Sequence, residues 1–424
     1  MANTKGSKRN SGKRGGDYTF SYARVVIFLI ITGIALASLL FSSQLEHIIN
    51  KDYYENLENI SDAELVYNKD DLTVSFVNVG SADGIVIELP DNKVMIIDTG
   101  NQGSSKQSLM DYLGSNVYND RSNNIVDYYI ITHPDQDHFS GTKDLTTNYK
   151  VKNIYRPKVL ANDEKTRFEN DGENTIEDTY KVKTTGSYNT AINAIYNEVA
   201  NDGATMYFNE TGIVISGNDA TNENMYKFTF LSPDENVYLN GSDIEENSYS
   251  AVLMLEYKSK KILLTGDATG VIENEVMSNA STYGISLKAD ILKIAHHGSA
   301  TYGSNSVDFL NAVKPSYAII SCEEGAYSNL PASVVLNRIK ECGVAEENIL
   351  RTDKQGTVLV GFSDSNELMV MVGDEIISKV NTIIFIHWYY VVIIVIVLSG
   401  TIIFMSNKKA IKTINKMTKK SKKA

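Results

Sequence analysis

Four metal-binding side chains are packed into six positions of one short segment of this 424-residue chain. His133, Asp135, Asp137 and His138 form an H-x-D-x-D-H loop directly after an apolar run that ends at Ile131. The run is typical of a buried strand, so the four side chains leave one strand end together. Imidazole and carboxylate groups this close repel or titrate one another unless a cation lies among them. The loop therefore predicts a divalent-metal site, and the simpler alternative is a solvated acidic turn.

The loop also resembles the ligand loop of metallo-β-lactamase-fold hydrolases. An aspartate at position 135, where most of that superfamily has a histidine, resembles the hydrolase domain of the ComEC family of DNA-uptake competence proteins. Three more segments follow in that family's order, and they are Val77–Gly100, Asn247–Ala268 and Leu287–Ser321. The resemblance implies an α/β fold, the four-layer αββα metallo-β-lactamase sandwich, that binds two divalent metal ions, Zn²⁺ or Mn²⁺.

By this resemblance, the two ions share one bridging carboxylate. One ion would be bound by His133, Asp135 and Asp267, and the other by Asp137, His138, Asp267 and His296. The family's third-motif histidine has no counterpart, because no histidine lies between His138 and His296. Hard oxygen donors without a thiolate shift the preference towards Mn²⁺ or Mg²⁺ and do not exclude Zn²⁺.

Some of these residues have alternative roles. Asp267 ends a strand in a Gly-Asp pair, and taken alone it could cap the helix that follows. We prefer His296 as the ligand and His297 as a cleft-facing residue that protonates the leaving group, but the two could exchange roles. Asp98 is expected to support the loop by hydrogen bonds. The candidate catalytic residues are thus Asp137 and His297.

Apolar segments alternate with helical patterns on both sides of the loop, which indicates an α/β sandwich. The main predicted strands are Leu72–Val79, Gly84–Leu89, Lys93–Asp98, Asp127–Thr132, Asn247–Tyr257, Lys261–Thr265 and Ile291–Ala295. The strands expected to enter the second sheet are Thr205–Phe208, Ile213–Ser216 and Lys227–Leu231. Residues 159–203 are polar, and we interpret them as a lid-like insertion. Cys322 and Cys342 are expected to be free thiols, with a disulfide as the alternative.

Two apolar runs outside the hydrolase domain, residues 25–42 and 383–405, are long enough to span a bilayer. Basic tails, residues 1–24 and 406–424, flank them, which predicts that both termini are cytoplasmic. An acidic stalk, residues 43–71, would then connect the first span to an extracytoplasmic domain at residues 72–372. A cleaved signal peptide is the alternative for the first run.

Charge limits the substrates that this domain can attract. The chain has 52 acidic and 40 basic residues, and many of the basic ones lie in the two tails, so the part between them is strongly acidic. Such a field repels polyanions and argues against processive DNA binding. The sequence predicts a membrane-anchored, binuclear metal-dependent hydrolase without a nucleotide cofactor. Its resemblance implies a phosphodiesterase acting on single-stranded DNA; the alternatives are a cell-envelope phosphodiester, such as a teichoic acid or phosphorylcholine ester, and a catalytically degenerate scaffold.

Overall fold

A computed structural model describes most of the central part of the chain. The described residues are 71–119, 121–170, 180–218, 224–234, 246–326, 329–362, 368–372 and 375–376. The predicted membrane spans and basic tails lie outside these residues, as does the predicted stalk except for Asp71. In the described ranges, no helix combines the length and the apolar character that crossing a membrane requires.

The described strands, numbered in chain order, are short and mostly buried. They are β1 (Thr73–Phe76), β2 (Ile85–Glu88), β3 (Val94–Ile97), β4 (Ile125–Ile130), β5 (Lys150–Arg156), β6 (Val159–Ala161), β7 (Lys181–Lys183), β8 (Thr205–Phe208), β9 (Val214–Asn218), β10 (Asn224–Ser232), β11 (Val252–Tyr257), β12 (Lys260–Leu264), β13 (Ile291–Lys293), β14 (Tyr317–Ile320), β15 (Ile349–Arg351), β16 (Val358–Phe362), β17 (Leu368–Val372) and β18 (Glu375–Ile376).

The described α-helices lie between these strands. They are α1 (Ser104–Tyr112), α2 (Gln136–Phe139), α3 (Thr142–Asn148), α4 (Asn162–Asn170), α5 (Gly186–Asp202), α6 (Gly270–Thr282), α7 (Val307–Val313), α8 (Ser333–Glu341) and α9 (Thr352–Gln355). A π-helical segment, Leu113–Val117, extends α1.

Two large sheets organise the described residues. The first has the order β18-β17-β16-β1-β2-β3-β4-β5-β8, and the second has the order β15-β14-β13-β12-β11-β10-β9. Strands β3, β4, β5 and β8 run parallel, as do β12 to β15. The prediction that Thr205–Phe208 enters the second sheet is wrong, because it pairs with β5 as the edge of the first sheet. Its short, half-exposed sequence carries no signal for the sheet to which it belongs.

The main hydrophobic core lies between the two sheets. Ile85 and Ile87 of β2 face this core, and Val86 between them faces the other side of the sheet, as the two-residue period of a strand requires. Phe228 and Leu253 contribute from the second sheet. Full burial of each such side chain stabilises the fold by about 1.5–3 kcal/mol, so strand alternation also fixes the register of the sandwich.

Helices cover the outer face of each sheet. Leu109 of α1 and Tyr188 of α5 belong to a buried cluster on the outer side of the first sheet. Ile272, Phe309 and Ile339, from α6, α7 and α8, belong to a third cluster on the outer side of the second sheet. The layers are therefore helix, sheet, sheet and helix, which confirms a mixed α/β sandwich. Both cysteines are free thiols.

The described part of the predicted insertion has regular structure. Strands β6 and β7 pair in a small parallel sheet, and α4 and α5 flank them. A fully buried ion pair joins Arg156 to Glu164, and the Tyr188 hydroxyl donates to the Val159 carbonyl at 2.9 Å. The Tyr188 ring also packs edge-on against Phe139, 5.1 Å between centroids, directly after the H-x-D-x-D-H loop. These contacts attach the insertion to the loop.

Candidate metal centre

The predicted ligands come from the carboxyl ends of parallel strands in both sheets. Neighbouring parallel strands end at the same edge of a sheet, so the segments that follow β12 and β13 meet at one edge of the second sheet. The segment that follows β4 lies at an edge of the first sheet. The Ala251 amide donates to the Thr132 carbonyl at 3.0 Å and joins the two edges. Gly266 has φ +50°, and a Cβ at this position would lie 3.1 Å from the Thr132 side chain. A glycine therefore lets the next residue, Asp267, approach the loop that follows β4.

Four side chains form what we term the compact group: Asp137, His138, Asp267 and His297. Each offers one ligand atom, and these four atoms all lie within 4.8 Å of one another. His138 Nε2 lies 3.4 Å from Asp267 Oδ1, and His297 Nε2 lies 3.4 Å from Asp267 Oδ2 and 3.3 Å from Asp137 Oδ2. Two ligands about 2.1 Å from one tetrahedral ion lie about 3.4 Å apart, so the spacing fits a shared cation.

The remaining predicted ligands form what we term the open group: His133, Asp135 and His296. His133 Nε2 lies 3.7 Å from Asp135 Oδ2 and 4.0 Å from Asp267 Oδ2, and His296 Nε2 lies 3.9 Å from the same Asp267 atom. His133 is fully buried, whereas the side chains of Asp135 and His296 are 28% and 18% exposed. This group is therefore wider and closer to solvent than the compact group.

The structure places the histidine pair differently from the arrangement that we preferred from the sequence, in which His296 is the ligand and His297 faces the cleft. His297 is buried and belongs to the compact group, whereas His296 lies at its edge and is partly exposed. Strand β13 ends at Lys293, so the pair is not on extended backbone; His296 and His297 have φ of +50° and +51°. Two successive left-handed residues turn the side chains differently from a strand, and non-glycine residues with such φ values concentrate at functional sites.

Hydrogen bonds orient three histidines so that their Nε2 atoms face the site. His138 Nδ1 donates to Asp98 Oδ2 at 2.7 Å, and His297 Nδ1 donates to the Ser321 carbonyl at 2.9 Å. The Thr132 hydroxyl donates to the same Asp98 oxygen at 2.6 Å, so at 3.0 Å it accepts from His133 Nδ1. An anchored Nδ1–H is the usual arrangement of a metal-bound histidine. The supporting role predicted for Asp98 agrees with this geometry.

Buried polar atoms at the centre make no hydrogen bond within the described part of the chain. They are the Nε2 atoms of His133, His138 and His297 and Oδ1 of Asp267. A buried polar atom without a partner costs about 1–3 kcal/mol, so four of them around one volume call for a shared ligand. The donor chemistry, imidazole nitrogen and carboxylate oxygen, fits a divalent cation.

Charges within the compact group stabilise one another when no cation is bound. Burial alone would lower the pKa of His138, but the Asp267 and Asp98 carboxylates raise it well above its ordinary value. Burial also opposes the charge on His297, and Asp267 raises its pKa. Burial alone would raise the pKa of the Asp137 and Asp267 carboxyls. The neighbouring histidines instead hold the pKa of Asp137 at about 2 and the pKa of Asp267 well below its usual range.

The open group has the opposite protonation behaviour. Burial lowers the pKa of His133 well below its ordinary value, and the nearby His138 charge lowers it further. Burial likewise lowers the pKa of His296. Both open-group histidines are therefore neutral at physiological pH, with nitrogen lone pairs available to a metal.

Sequence reasoning missed three charged residues next to the centre, which are Asp83, Lys183 and Lys293. Lys293 is fully buried; its Nζ lies 2.5 Å from Asp83 Oδ2 and 3.9 Å from Asp267 Oδ1, and it donates to the Gly266 carbonyl at 2.9 Å. A lysine inside the apolar run of β13 is a signal that could have revealed it. Lys183 of β7 lies 3.5 Å from Asp135 Oδ1. Nothing local in the sequence marks Lys183, because the approach depends on how the insertion folds.

Comparisons with known proteins agree with this geometry. A family model described as the metallo-beta-lactamase superfamily matches residues 77–199. ComE operon protein 3 from Bacillus subtilis (strain 168) is 27% identical over 233 residues, which are 55% of this chain and 24% of that protein. Competence protein ComA from Neisseria gonorrhoeae is 34% identical over 135 residues, which are 32% of this chain and 18% of that protein. The chain thus spans at most 24% of the length of these two relatives.

Among solved structures, the metallo-beta-lactamase fold protein YhfI from Bacillus subtilis is 10% identical to this chain, with a TM-score of 0.36. The alignment covers 66% of this chain and 96% of the YhfI chain, and the likeness is too distant to carry an inference. The residues that the family model matches include the metal-binding loop. Residues 77–199 therefore match the metallo-beta-lactamase superfamily, and the chain resembles part of the ComEC-family competence proteins.

Proposed function

We propose that this chain is a membrane-anchored, two-metal-dependent phosphodiesterase that faces the outside of the cell and acts on nucleic acid. One observation carries the hydrolytic part: buried histidine Nε2 atoms and a buried Asp267 oxygen face one volume without hydrogen-bond partners among the described residues. Ion pairing still leaves these buried atoms without hydrogen bonds, so a scaffold with no ligand there would be less stable than one with an apolar centre. Their convergence favours an enzyme over a scaffold.

The chain's own residues divide the work of binding and orientation. The compact group would hold one ion and the open group the other, with Asp267 between them. When bound, divalent ions lower the pKa of water and screen negative charge that develops on a phosphoryl group. Asp98 and the Ser321 carbonyl fix the ring planes of His138 and His297, so the ligand set is oriented in advance.

His296 would be a ligand of the second ion, because its ring is neutral at physiological pH and its Nε2 faces Asp267. It is the partly exposed member of the pair, and its Nδ1 lies 3.4 Å from the Thr301 hydroxyl. His297 is buried among the residues of the compact group, so it is no longer our candidate proton donor to the leaving group. Asp137, named as catalytic from the sequence, would act as a metal ligand.

Nucleic acid is the substrate class that the relatives favour. One is named a competence protein and another a ComE operon protein, and neither match extends over more than a quarter of the relative. The acidic composition of this chain instead favours the alternative, a cell-envelope phosphodiester, since like charge repels a long polyanion. Short or locally bound strands avoid much of that repulsion, because salt screens charges beyond about 10 Å.

The test uses the full-length chain in detergent, stripped of metal and reloaded with Mn²⁺ or Zn²⁺. We expect hydrolysis of bis(4-nitrophenyl) phosphate and of a single-stranded oligodeoxynucleotide, and loss of both activities in Asp137→Ala. Asp111→Ala is the matched control, because Asp111 is an exposed aspartate on α1. Fewer than one bound metal equivalent, together with no hydrolysis, would support the scaffold. Cleavage of a phosphorylcholine ester but not of DNA would support the envelope alternative.

Membrane anchoring and outward orientation need a separate test. The predicted spans, residues 25–42 and 383–405, would hold the domain outside, with both basic tails inside. Protease added to intact cells should therefore cleave the central domain without lysis. Cleavage only after lysis would contradict this orientation.

A further inference from the structure

We infer that Tyr302 is a stacking platform for a nucleobase beside the metal centre. This inference rests on the proposed phosphodiesterase function and specifies its substrate as a nucleotide strand, whose base would stack on the ring while the adjacent phosphodiester lies at the ions. Neither the predicted ligands nor the predicted proton donor includes this residue.

Tyr302 combines exposure with proximity to the site. Its side chain is 56% exposed. Its ring lies parallel to that of His296, at an interplanar angle of 3° and a centroid distance of 6.3 Å. His296 Nε2 in turn lies 3.9 Å from Asp267 Oδ2. The aromatic face is thus one ring beyond the ligand cluster, on its solvent side.

The loop that carries Tyr302 is held firmly at both ends. The Asn305 side chain accepts from the Ala295 amide at 3.1 Å and donates to the carbonyls of Ala295 and Ser299 at 2.9 and 2.8 Å. Glu273, fully buried on α6, accepts from the Asn305 amide at 2.5 Å. A loop fixed in this way presents its exposed ring with little conformational freedom left to lose on binding.

The backbone at Tyr302 has an unfavourable conformation. Its φ is +53°, a left-handed value that bulky residues rarely adopt. Next to it, Gly303 packs so closely on α6 that a Cβ on Gly270 would lie 3.0 Å from the Gly303 carbonyl oxygen. The structure therefore keeps a large aromatic side chain in solvent at a position where a small residue would be less strained.

Stacking suits an acidic phosphodiesterase. Every nucleobase has an aromatic face, so stacking binds strands without regard to sequence. It also needs no net positive charge, and the net charge of this chain is negative. The competing ligand is a choline headgroup, whose quaternary ammonium also binds aromatic faces. Choline sites are cages of several rings, whereas Tyr302 and His296 are parallel planes, which match a flat base better.

The experiment compares Tyr302→Ala, Tyr302→Phe and Tyr283→Ala in the Mn²⁺-loaded full-length chain. Tyr283, 51% exposed, is the matched control: it follows the last residue of α6, and a 13-residue helix places it about 20 Å from Gly270. The substrates are a single-stranded oligodeoxynucleotide and a strand of equal length made of abasic tetrahydrofuran residues, which keeps the phosphodiesters and removes the bases.

We expect Tyr302→Ala to lower kcat/KM on the base-bearing strand by about 5- to 150-fold, the range for loss of one stacked base. The same variant should leave cleavage of the abasic strand within about twofold, since that strand has nothing to stack. Tyr302→Phe should retain wild-type rates, and Tyr283→Ala should match wild type on both strands.

Other outcomes separate failure of this inference from failure of the proposed function. Equal losses on both strands would make Tyr302 a structural residue, and unchanged rates on both would remove it from binding. Loss confined to a phosphorylcholine ester would assign the ring to choline. If the wild type cleaves bis(4-nitrophenyl) phosphate but neither strand, the nucleotide platform is wrong and the phosphodiesterase stands. If nothing is cleaved, the proposed function fails. The platform is then tested by calorimetry with dAMP, and equal affinity of the wild type and Tyr302→Ala for dAMP overturns it as well.

Discussion

The compact group and the open group are built from the same residue types but differ in how completely the protein surrounds them. In the compact group, His138 and His297 are buried and each has Nδ1 bonded to a fixed acceptor. In the open group, Asp135 and His296 are partly exposed, and the nearest nitrogen–oxygen distances are 3.7–4.0 Å instead of 3.3–3.4 Å. No histidine lies between His138 and His296 that could add a further imidazole ligand to the open group.

This difference predicts unequal affinities for the two ions that we propose. A site whose ligands are already oriented loses little conformational entropy when it binds its ion. A site with fewer oriented ligands loses more and therefore binds more weakly. We therefore expect one tightly held ion in the compact group and one exchangeable ion in the open group. Asp267 of the compact group also faces the open group. Its carboxylate lies within 4.0 Å of four histidines, which are His133, His138, His296 and His297.

The largest effect should come from removing what the two groups share. Asp267→Asn keeps the shape of the side chain but removes its charge, so both ions should be lost. Loss of several kcal/mol of charge stabilisation in the transition state corresponds to a fall in kcat/KM of about 10³-fold or more. Metal content by mass spectrometry and phosphodiester kinetics measure the two consequences, with Asp308→Asn, an exposed aspartate on α7, as the control. Retention of one tight equivalent would show that the groups do not share Asp267.

A smaller effect should separate the two adjacent histidines. His297→Ala should remove the tight ion and lower activity by about 10²-fold, whereas His296→Ala should keep that ion and weaken mainly the exchangeable one. Metal stoichiometry after gel filtration distinguishes them, and thermal melting checks that each variant is folded. If His296→Ala loses the tight ion and His297→Ala keeps it, the roles preferred from the sequence alone are restored.

The histidine pair also shows what sequence could and could not predict. The H-x-D-x-D-H loop and the alternating strands predicted a metal site in an α/β sandwich, because each is set by local spacing. The place of Asp267 in the cluster was implied only by the family resemblance. Which of two adjacent histidines points inward depends on their φ values, which depend on how the turn after β13 packs. Pairing of β8 with β5 and the approach of Lys183 to Asp135 likewise depend on tertiary contacts that no local pattern records.

Acid should affect the two ions differently. The pKa values of His138 and His297 lie above the ordinary 6.5, so a cation entering the compact group must displace protons from them, and its affinity should fall as pH decreases. The pKa values of His133 and His296 lie below 6.5, so binding in the open group releases no proton near neutral pH. Calorimetry between pH 6 and 8 should show an affinity change of up to about tenfold per pH unit per proton for the tight ion only. Equal slopes for both ions would contradict the assignment.

The smallest effect concerns a cation that the insertion brings to the open group. Lys183 lies 3.5 Å from Asp135 Oδ1 and also pairs with Glu246, so its charge opposes a metal ion bound by Asp135. Lys183→Met should therefore tighten the exchangeable Mn²⁺ by about 1.5- to 5-fold, the scale of a partly screened ion pair. The same change should raise KM if the ammonium also contacts the substrate phosphate. The affinity for Mn²⁺ would then increase while the activity decreases. Lys152→Met, which removes an exposed lysine paired with Asp127, should change neither. Weaker Mn²⁺ binding in Lys183→Met would mean that Lys183 orders Asp135 more than it repels the ion.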